Sequence, residues 1–301
     1  MKAAVLIGFG GLDRLEIREV DEPAVGPGEV KVRVVATSIN PLDWKLREGV
    51  KRLIGGLELP AILGSDAAGE VVEVGEGVTR LRVGSRVAGF ISRGYAERVV
   101  AREEAWAEVP GSMDLVDAAA IPLAALSGAQ LVDEGVRPGA GDSILITGAV
   151  GSVGRAAVHT AKARGAKVWA GVRSSQRGAA AALGVEGIVA LDEVVASDDV
   201  PVFDAIADTV GGEPVARLLA MVRTAGIFAT VIPEPAGAKE RALEIRTVRA
   251  HPDPERLSGL LGAVADGSLV IPIARRFALS QIREAQSAAE KGAGGKVLVL
   301  M

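Results

Sequence analysis

The sequence predicts an α/β protein built from a compact, barrel-like β domain and a doubly wound parallel sheet. Short strand-like segments separated by glycines fill the first third of the 301-residue chain, and apolar strands alternate with helices after it. A chain of this length exceeds one average domain, and its 49% apolar and 24% charged residues are ordinary for a globular protein. We therefore expect two domains.

The first third has the pattern of β structure. In the segment 29–39, Val30, Val32 and Val34 alternate with charged residues, which is the period-two pattern of a half-buried strand. Further short segments of this kind, with glycines at the turns, follow at 69–78, 84–91 and 94–100. Closely spaced short strands predict a barrel-like domain.

The pattern changes after Pro110. An Ala- and Leu-rich segment at 114–135 is typical of helix, with a break at Pro122. Apolar strands are then predicted at 143–147, 166–172, 187–191, 202–208, 226–232 and 242–248. Helices are predicted between them, from Ser152 and near 175–183 and 213–222. Strands that are apolar on both faces and separated by helices form a doubly wound parallel sheet.

The last fifty residues predict two amphipathic helices after Pro252 and a final strand, KVLVLM. We expect this strand to rejoin the first domain. The resulting division is 1–118 and 249–301 for one domain and 119–248 for the other.

Composition excludes several classes of function. The net charge is −4 and no block of basic residues occurs, so nucleic acid is not an expected partner. No apolar segment is long enough to span a membrane, and the N-terminus does not have the pattern of a signal peptide, so a cytoplasmic protein is expected. With no cysteine and two histidines, no metal site is predicted.

Two other enzyme classes lack their motifs. No Gly-Lys-Ser/Thr follows the glycine-rich segment, which excludes a P-loop. A short-chain dehydrogenase would have a Tyr-xxx-Lys pair, but the single tyrosine, Tyr95, is followed four residues later by Val99.

The segment AVGSVG, residues 149–154, fits a variant of the dinucleotide-binding fingerprint because it follows a strand and opens a helix. Ala149 permits a tight turn, Gly151 allows close approach of a pyrophosphate, and Gly154 allows the helix to pack on the strand. The helix start at Ser152 and Val153 would present free N–H groups to phosphates. The alternative is a tight turn that binds nothing.

The identity of the dinucleotide is predicted from the end of the second strand of this sheet. An NAD site would place a carboxylate there, but the segment 172–177 has none. Arg173 and Arg177 carry positive charge, and Ser174 and Ser175 add hydroxyl donors. Together these groups favour the 2′-phosphate of NADPH. The alternative is a solvated basic turn.

Taken together, these segments resemble the zinc-independent quinone oxidoreductases of the medium-chain dehydrogenase/reductase superfamily, relatives of zeta-crystallin. The segment 39–49 is similar to the family's Asn-Pro-x-Asp-x-Lys-x-Arg-x-Gly pattern, and 59–78 contains Gly-x-Asp-x-Ala-Gly-x-Val. The remaining similar segments are 118–131, 143–166, 208–212 and 294–300. The resemblance covers nearly the whole chain.

The resemblance implies a GroES-like catalytic domain formed by both chain ends and an inserted Rossmann domain that binds NADPH. It implies hydride transfer from NADPH to a quinone or an α,β-unsaturated carbonyl, without zinc. It also implies a homodimer joined at the edges of the Rossmann sheets, with 242–248 as the edge segment.

The resemblance also implies roles for individual residues. Asn40 would face the nicotinamide, with Lys45 nearby, and Ser127 would lie near its carboxamide. The remaining implied cofactor contacts are Ala149, Gly151, Ser152, Val153, Gly154, Arg173, Ser174, Arg177, Thr209, Val231 and Ile232. Negative charge on the substrate oxygen would be stabilised by Asn40, Lys45 and Tyr95. From the residues alone, Asn40 also fits a turn before proline, and Ser127 also fits a helix-packing hydroxyl.

Two further functions stay open. The chain fits an NADPH-binding protein with little turnover, as the crystallin relatives suggest. It also fits a trans-enoyl reductase component, which differs only in the acceptor.

Overall fold

A computed structural model of the chain describes residues 1–50, 55, 57–193, 200–235, 237 and 242–301. The chain forms two compact units. We call Met1–Leu123 with Pro252–Met301 the β unit, and Ala124–His251 the parallel-sheet unit.

The N-terminal part of the β unit consists of short strands. They are β1 (Lys2–Leu6), β2 (Leu15–Glu19), β3 (Glu29–Ser38), β4 (Ala61–Ile62), β5 (Asp66–Val74), β6 (Arg86–Phe90), β7 (Arg98–Arg102) and β8 (Trp106–Glu108). Two short helices, α1 (Pro41–Arg47) and α2 (Leu115–Ala118), lie in the same part. Val30, Val32 and Val34 of β3 are buried, while Lys31 pairs across the sheet with Glu73 of β5, as the alternating pattern predicts.

The parallel-sheet unit alternates helices and strands. They are α3 (Pro122–Gln130, which begins in the β unit), β9 (Ser143–Thr147), α4 (Ser152–Ala163), β10 (Lys167–Val172), α5 (Arg177–Ala181), β11 (Gly187–Ala190), β12 (Phe203–Asp208), α6 (Gly212–Leu218), β13 (Val222–Thr230) and β14 (Glu244–Thr247). A π-helical turn, Leu131–Val136, continues α3.

Among the described residues of this unit, six strands form one parallel sheet in the order β11-β10-β9-β12-β13-β14. Counted from β9, this is the 3-2-1-4-5-6 order of a doubly wound nucleotide-binding sheet. The order in which strands are added to the sheet reverses between β9 and β12. Loops at the carboxyl ends of these two strands are therefore the expected binding region. The predicted fold class of this unit is confirmed.

The last segment of the chain returns to the β unit. It contains α7 (Pro254–Ala265), β15 (Ile273–Ala278), α8 (Ile282–Glu290) and β16 (Lys296–Leu300). The terminal strand β16 pairs antiparallel with β3 and parallel with β15. The larger sheet therefore has the order β15-β16-β3-β5-β6-β8, with β7 paired to β3, and β2-β1-β4 form a second sheet.

Some predicted elements differ from the structure, most clearly at two places. The helix predicted near 213–222 ends at Leu218 and β13 begins at Val222, because Val222 already pairs with Phe203 of β12. The strand predicted at 94–100 begins only at Arg98. Gly94 and Tyr95 instead donate their backbone N–H groups to Gly64 and Leu63.

Candidate active site

A buried group of polar side chains lies where β3 ends and β5 and β16 begin. Because β3 runs antiparallel to both neighbours, its carboxyl end meets their amino ends. We call this group the polar cluster; its members, all nine-tenths buried or more, are Ser38, Asn40, Asp43, Ser65, Asp66, Tyr95 and Lys296.

Asn40 is held at both ends of its amide. Its Nδ2 donates to Asp66 Oδ2 at 2.7 Å, and its Oδ1 accepts from Lys296 Nζ at 2.7 Å. Ser38 Oγ and the backbone N–H of Leu123 also donate to the Asp66 carboxylate. These bonds assign the orientation of the Asn40 amide, since an exchanged oxygen and nitrogen would place an NH₂ group against Lys296.

Asp43 forms the second centre of the cluster. Its carboxylate accepts from the Asn40 backbone N–H at 2.8 Å, from the Tyr95 hydroxyl at 2.8 Å and from Ser65 Oγ at 3.1 Å. Burial raises the Asp43 pKa from 3.8 to about 6, although the bonds from Asn40 and Tyr95 oppose this rise. This carboxyl group therefore loses its proton at a higher pH than an ordinary aspartate does.

Lys296 and Tyr95 of the cluster also have shifted pKa values. Burial lowers the pKa of the Lys296 ammonium, while Asp66 and Asp43 oppose this change. Burial, followed by the charge of Asp43, raises the pKa of the Tyr95 hydroxyl well above 10. Tyr95 therefore stays protonated, and its hydroxyl donates a hydrogen bond to Asp43.

Of the three residues implied to be catalytic, two lie in the polar cluster and one lies outside it. Asn40 and Tyr95 belong to the cluster, and Tyr95 has no exposed surface. Lys45 lies half-buried on α1, and no hydrogen bond or ion pair joins its ammonium group to the described part of the chain.

The glycine loop of the parallel-sheet unit connects β9 to α4. Gly148 has a φ of +65°, which favours glycine, and α4 begins at Ser152 without a side chain that caps its N-terminus. A Cβ on Gly154 would lie 2.1 Å from Gly148 O, so the helix can approach the loop only with glycine there. Ala149 is fully buried. The uncapped N–H groups of the first turn are donors for an anion.

Helix α3 packs against this loop. A Cβ on Gly128 would lie 2.2 Å from Val153 O, so α3 and the start of α4 are in close contact. Ser127 is 8% exposed. It lies one residue before the contact between α3 and α4.

Arg155, directly after the third glycine, also turns towards the loop. Its Nε donates to Val150 O at 2.9 Å, and partial burial lowers its pKa. No carboxylate pairs with it among the described residues.

Asp208 connects the carboxyl ends of the three central strands. It is fully buried and accepts from Thr147 Oγ1 at 2.7 Å, from Thr230 Oγ1 at 3.1 Å and from the Gly211 N–H at 3.0 Å. Thr209 Oγ1 donates to Thr147 O at 2.7 Å. These bonds fix the loop after β12 beside the end of β9.

Val231 and Ile232, implied to line the nicotinamide, directly follow β13. The Ile232 N–H donates to Thr230 Oγ1 at 3.1 Å. Both residues therefore lie at the same edge of the sheet as the glycine loop.

The basic turn after β10 is not purely basic in the folded protein. Ser174 donates through its backbone N–H and its hydroxyl to Asp192, at 2.7 Å and 2.9 Å. Arg177 pairs with Glu193 at 2.9 Å, and Arg173 is exposed. The parallel pairing of β10 with β11 brings these carboxylates to the turn, because both strands end at the same edge.

Several of these residues are absent from the sequence-derived set: Asp43, Asp66, Arg155, Asp192, Glu193, Asp208 and Lys296. Asp43 and Asp66 lie inside the two segments with the strongest motif similarity, and Lys296 lies in the last one. Their position within these motifs is the sequence feature that could have identified them as members of the site. No local signal pointed to Asp192 or Glu193.

Two family profiles match the chain. One, described as an alcohol dehydrogenase GroES-like domain, matches residues 26–120, and the other, described as a zinc-binding dehydrogenase, matches residues 183–299. The chain belongs to the medium-chain dehydrogenase/reductase superfamily and is quinone oxidoreductase-like.

Individual relatives agree with this assignment. The chain is 38% identical over 170 residues to a chloroplast envelope quinone oxidoreductase homolog of Arabidopsis thaliana, covering 54% of this chain and 52% of that protein. It is 37% identical over 171 residues to a quinone oxidoreductase of Pseudomonas aeruginosa, covering 56% and 52%. Each alignment thus spans about half of the curated relative.

A solved structure matches over the whole chain. The quinone oxidoreductase from Coxiella burnetii superposes with a TM-score of 0.89 at 27% identity, covering 100% of this chain and 99% of that one. The predicted GroES-like and Rossmann fold is confirmed.

The name of the second profile raises the question of a metal. Within the described ranges, no group of three or more His, Asp or Glu side chains is placed to hold a metal ion, and the sequence has no cysteine.

In the part of the chain that the structure describes, every helix is too short or too polar to traverse a bilayer.

Proposed function

We propose that the protein is an NADPH-dependent oxidoreductase that transfers hydride to a quinone or an α,β-unsaturated carbonyl without zinc. The observation that carries the proposal is the glycine loop at the switch point of the parallel sheet, in a chain that is quinone oxidoreductase-like. Membership of this superfamily implies a nicotinamide cofactor.

The described residues fit a dinucleotide. The uncapped start of α4 offers N–H groups to a pyrophosphate, and Gly154 keeps the helix close enough to the loop to do so. Arg155 adds a positive charge beside Val150. The backbone of Val231 and Ile232 and the side chains of Ser127 and Thr209 are our proposed contacts for the nicotinamide end.

The preference for NADPH rests on Arg173 and Arg177. A guanidinium pairs with a 2′-phosphate through charge-assisted hydrogen bonds, and the segment 172–177 itself has no carboxylate. Ser174 is the remaining proposed contact, although its donors are bonded to Asp192.

The bound cofactor supplies the hydride, and the protein supplies orientation and charge stabilisation. Negative charge develops on the carbonyl oxygen of the acceptor, where hydrogen-bond donors stabilise it. We assign this role to Asn40, whose amide is held rigidly by Asp66 and Lys296, and to the ammonium of Lys45. The buried Tyr95 hydroxyl donates to Asp43, which favours a positioning role for it.

The proposal includes a cytoplasmic homodimer. Strand β14 forms one edge of the parallel sheet, and we propose that two copies join there. The proposed substrate is a small molecule, as the quinone oxidoreductase relatives suggest.

The experiment is oxidation of NADPH, followed at 340 nm, with quinones, short enones and enoyl thioesters as acceptors. We expect turnover with at least one quinone or enone. Turnover with enoyl thioesters alone would favour the trans-enoyl reductase, and binding of NADPH without oxidation would favour the binding protein. If the protein binds neither NADPH nor NADH, the proposal is wrong.

Cofactor choice is tested with Arg177→Ala and Arg173→Asp. Removing Arg177 should weaken NADPH binding about tenfold, because one charge-assisted bond is lost, and should leave NADH binding nearly unchanged. Arg173→Asp should lower NADPH binding further by repulsion. An equal loss for both cofactors would contradict the assignment.

A further inference from the structure

We infer that Glu193 and Asp192 are cofactor-specificity residues that oppose the preference for NADPH. Their carboxylates are bonded to Arg177 and Ser174, which are two of the three groups on the basic turn proposed to contact a 2′-phosphate. This inference rests on the proposed function, since it concerns the adenosine end of the same nucleotide site.

The placement of the two carboxylates follows from the sheet. Strand β11 pairs in parallel with β10, and the Leu191 N–H continues this pairing by donating to Val172 O at 2.8 Å. The chain therefore leaves β11 beside the turn that leaves β10. Residues 192 and 193 face residues 174–177 for this reason.

Each carboxylate uses one phosphate-binding partner. Asp192 accepts a hydrogen bond from the Ser174 N–H through Oδ1 and another from the Ser174 hydroxyl through Oδ2. Glu193 takes Arg177, with both side chains about half exposed, 49% for Arg177 and 54% for Glu193. The backbone N–H of Arg173 donates to Gln176 Oε1, but its guanidinium forms no ion pair or hydrogen bond with the described residues.

The charges of the turn also cancel. The positive charges of Arg173 and Arg177 are matched by the negative charges of Asp192 and Glu193. Hydrogen bonds from Ser174 keep the pKa of Asp192 below its ordinary value, so this carboxylate is ionised at neutral pH. A phosphate monoester with a charge of about −1.5 to −2 must approach these carboxylates.

The two cofactors respond differently to this arrangement. The 2′-phosphate of NADPH must displace Glu193 from Arg177 or share the guanidinium with it, and it meets like charge. The 2′-hydroxyl of NADH meets no such repulsion, and a carboxylate can accept its proton in a hydrogen bond. Asp192 and Glu193 therefore reduce the amount by which the affinity for NADPH exceeds the affinity for NADH.

The test compares Glu193→Gln and Asp192→Asn with wild type by titrating NADPH and NADH into each at low ionic strength. Glu186→Gln is the matched control, because it removes the same charge from an exposed position at the opposite end of β11. Exposure of Glu193 means that its substitution should not impair folding, which equal melting temperatures would verify.

We expect Glu193→Gln to bind NADPH about two- to fivefold more tightly than wild type, which is the range that an exposed ion pair supplies. Asp192→Asn should change NADPH affinity in the same direction, while NADH affinity should not rise in either variant and the control should match wild type. The inference is wrong if NADPH affinity is unchanged or lower in both variants, or if both cofactors gain equally. Absence of any cofactor binding by wild type would instead refute the proposed function.

Discussion

The contact between α4 and the glycine loop allows a quantitative prediction for Gly154→Ala. A Cβ at this position would lie 2.1 Å from Gly148 O and 2.7 Å from Ala149 Cα, whereas ordinary contact begins at 3.4 Å. These neighbours are backbone atoms that cannot rotate away. The helix and the loop must therefore separate by more than an ångström.

The separation should have two measurable effects. Overpacking of this kind costs about 1–3 kcal/mol of unfolding free energy. Cofactor affinity should fall about tenfold or more, because the N–H donors of α4 move away from the pyrophosphate they are proposed to bind. Urea unfolding and titration with NADPH measure the two effects separately.

Gly259→Ala is the matched control, since Gly259 lies in α7, a helix of the same length, and nothing lies within 4 Å of an added Cβ. The control should gain up to about 1 kcal/mol, as alanine is the better helix former. If Gly154→Ala is as stable as the control and binds NADPH like wild type, the close approach of helix and loop has no role in the site.

Four further predictions concern the polar cluster and the proposed properties. The raised Asp43 pKa means that the folded state holds its proton more tightly than the unfolded state, so this contribution to stability is present below pH 3.8 and is lost as the pH rises through about 6. Asp43→Asn should thus be more destabilising at pH 4 than at pH 7, by about 2 kcal/mol in urea unfolding, and equal costs at the two pH values would exclude a raised pKa. Lys296→Met should cost about 3–5 kcal/mol in the same assay by leaving the Asp66 carboxylate buried without its cation, against less than about 0.5 for the exposed Lys291→Met, and similar costs would argue against the pair. Chelator treatment should leave activity unchanged, and elemental analysis that finds one zinc per chain, lost together with activity, would contradict zinc independence. Light scattering at micromolar concentration should give a dimer, and a monomer would count against pairing at β14.

The sequence by itself determined the parallel sheet and its glycine loop. Strand β9 spans Ser143–Thr147 and α4 begins at Ser152, as predicted, because apolar periodicity and the glycine spacing act over neighbouring residues. The apolar runs of β10, β11 and β12 likewise predicted strands buried on both faces.

The limits of β13 required tertiary structure. Its first residue, Val222, has no local signal that separates it from the preceding helix, and it becomes a strand residue by pairing with Phe203. Strand ends depend on a partner that lies far away in the sequence.

The chemistry of the candidate site was decided mostly by tertiary contacts. Lys296 reaches Asn40 only because β16 pairs with β3, and Glu193 reaches Arg177 only because β11 pairs with β10. The local sequence around Arg177 predicts a basic turn, whereas the folded turn is balanced by acidic residues from the next strand. The electrostatics of a site depend on all charged groups that lie nearby in space, including those far away in the sequence. A prediction from neighbouring residues alone therefore finds the hydrogen-bond donors of the turn but not the carboxylates that compete for them.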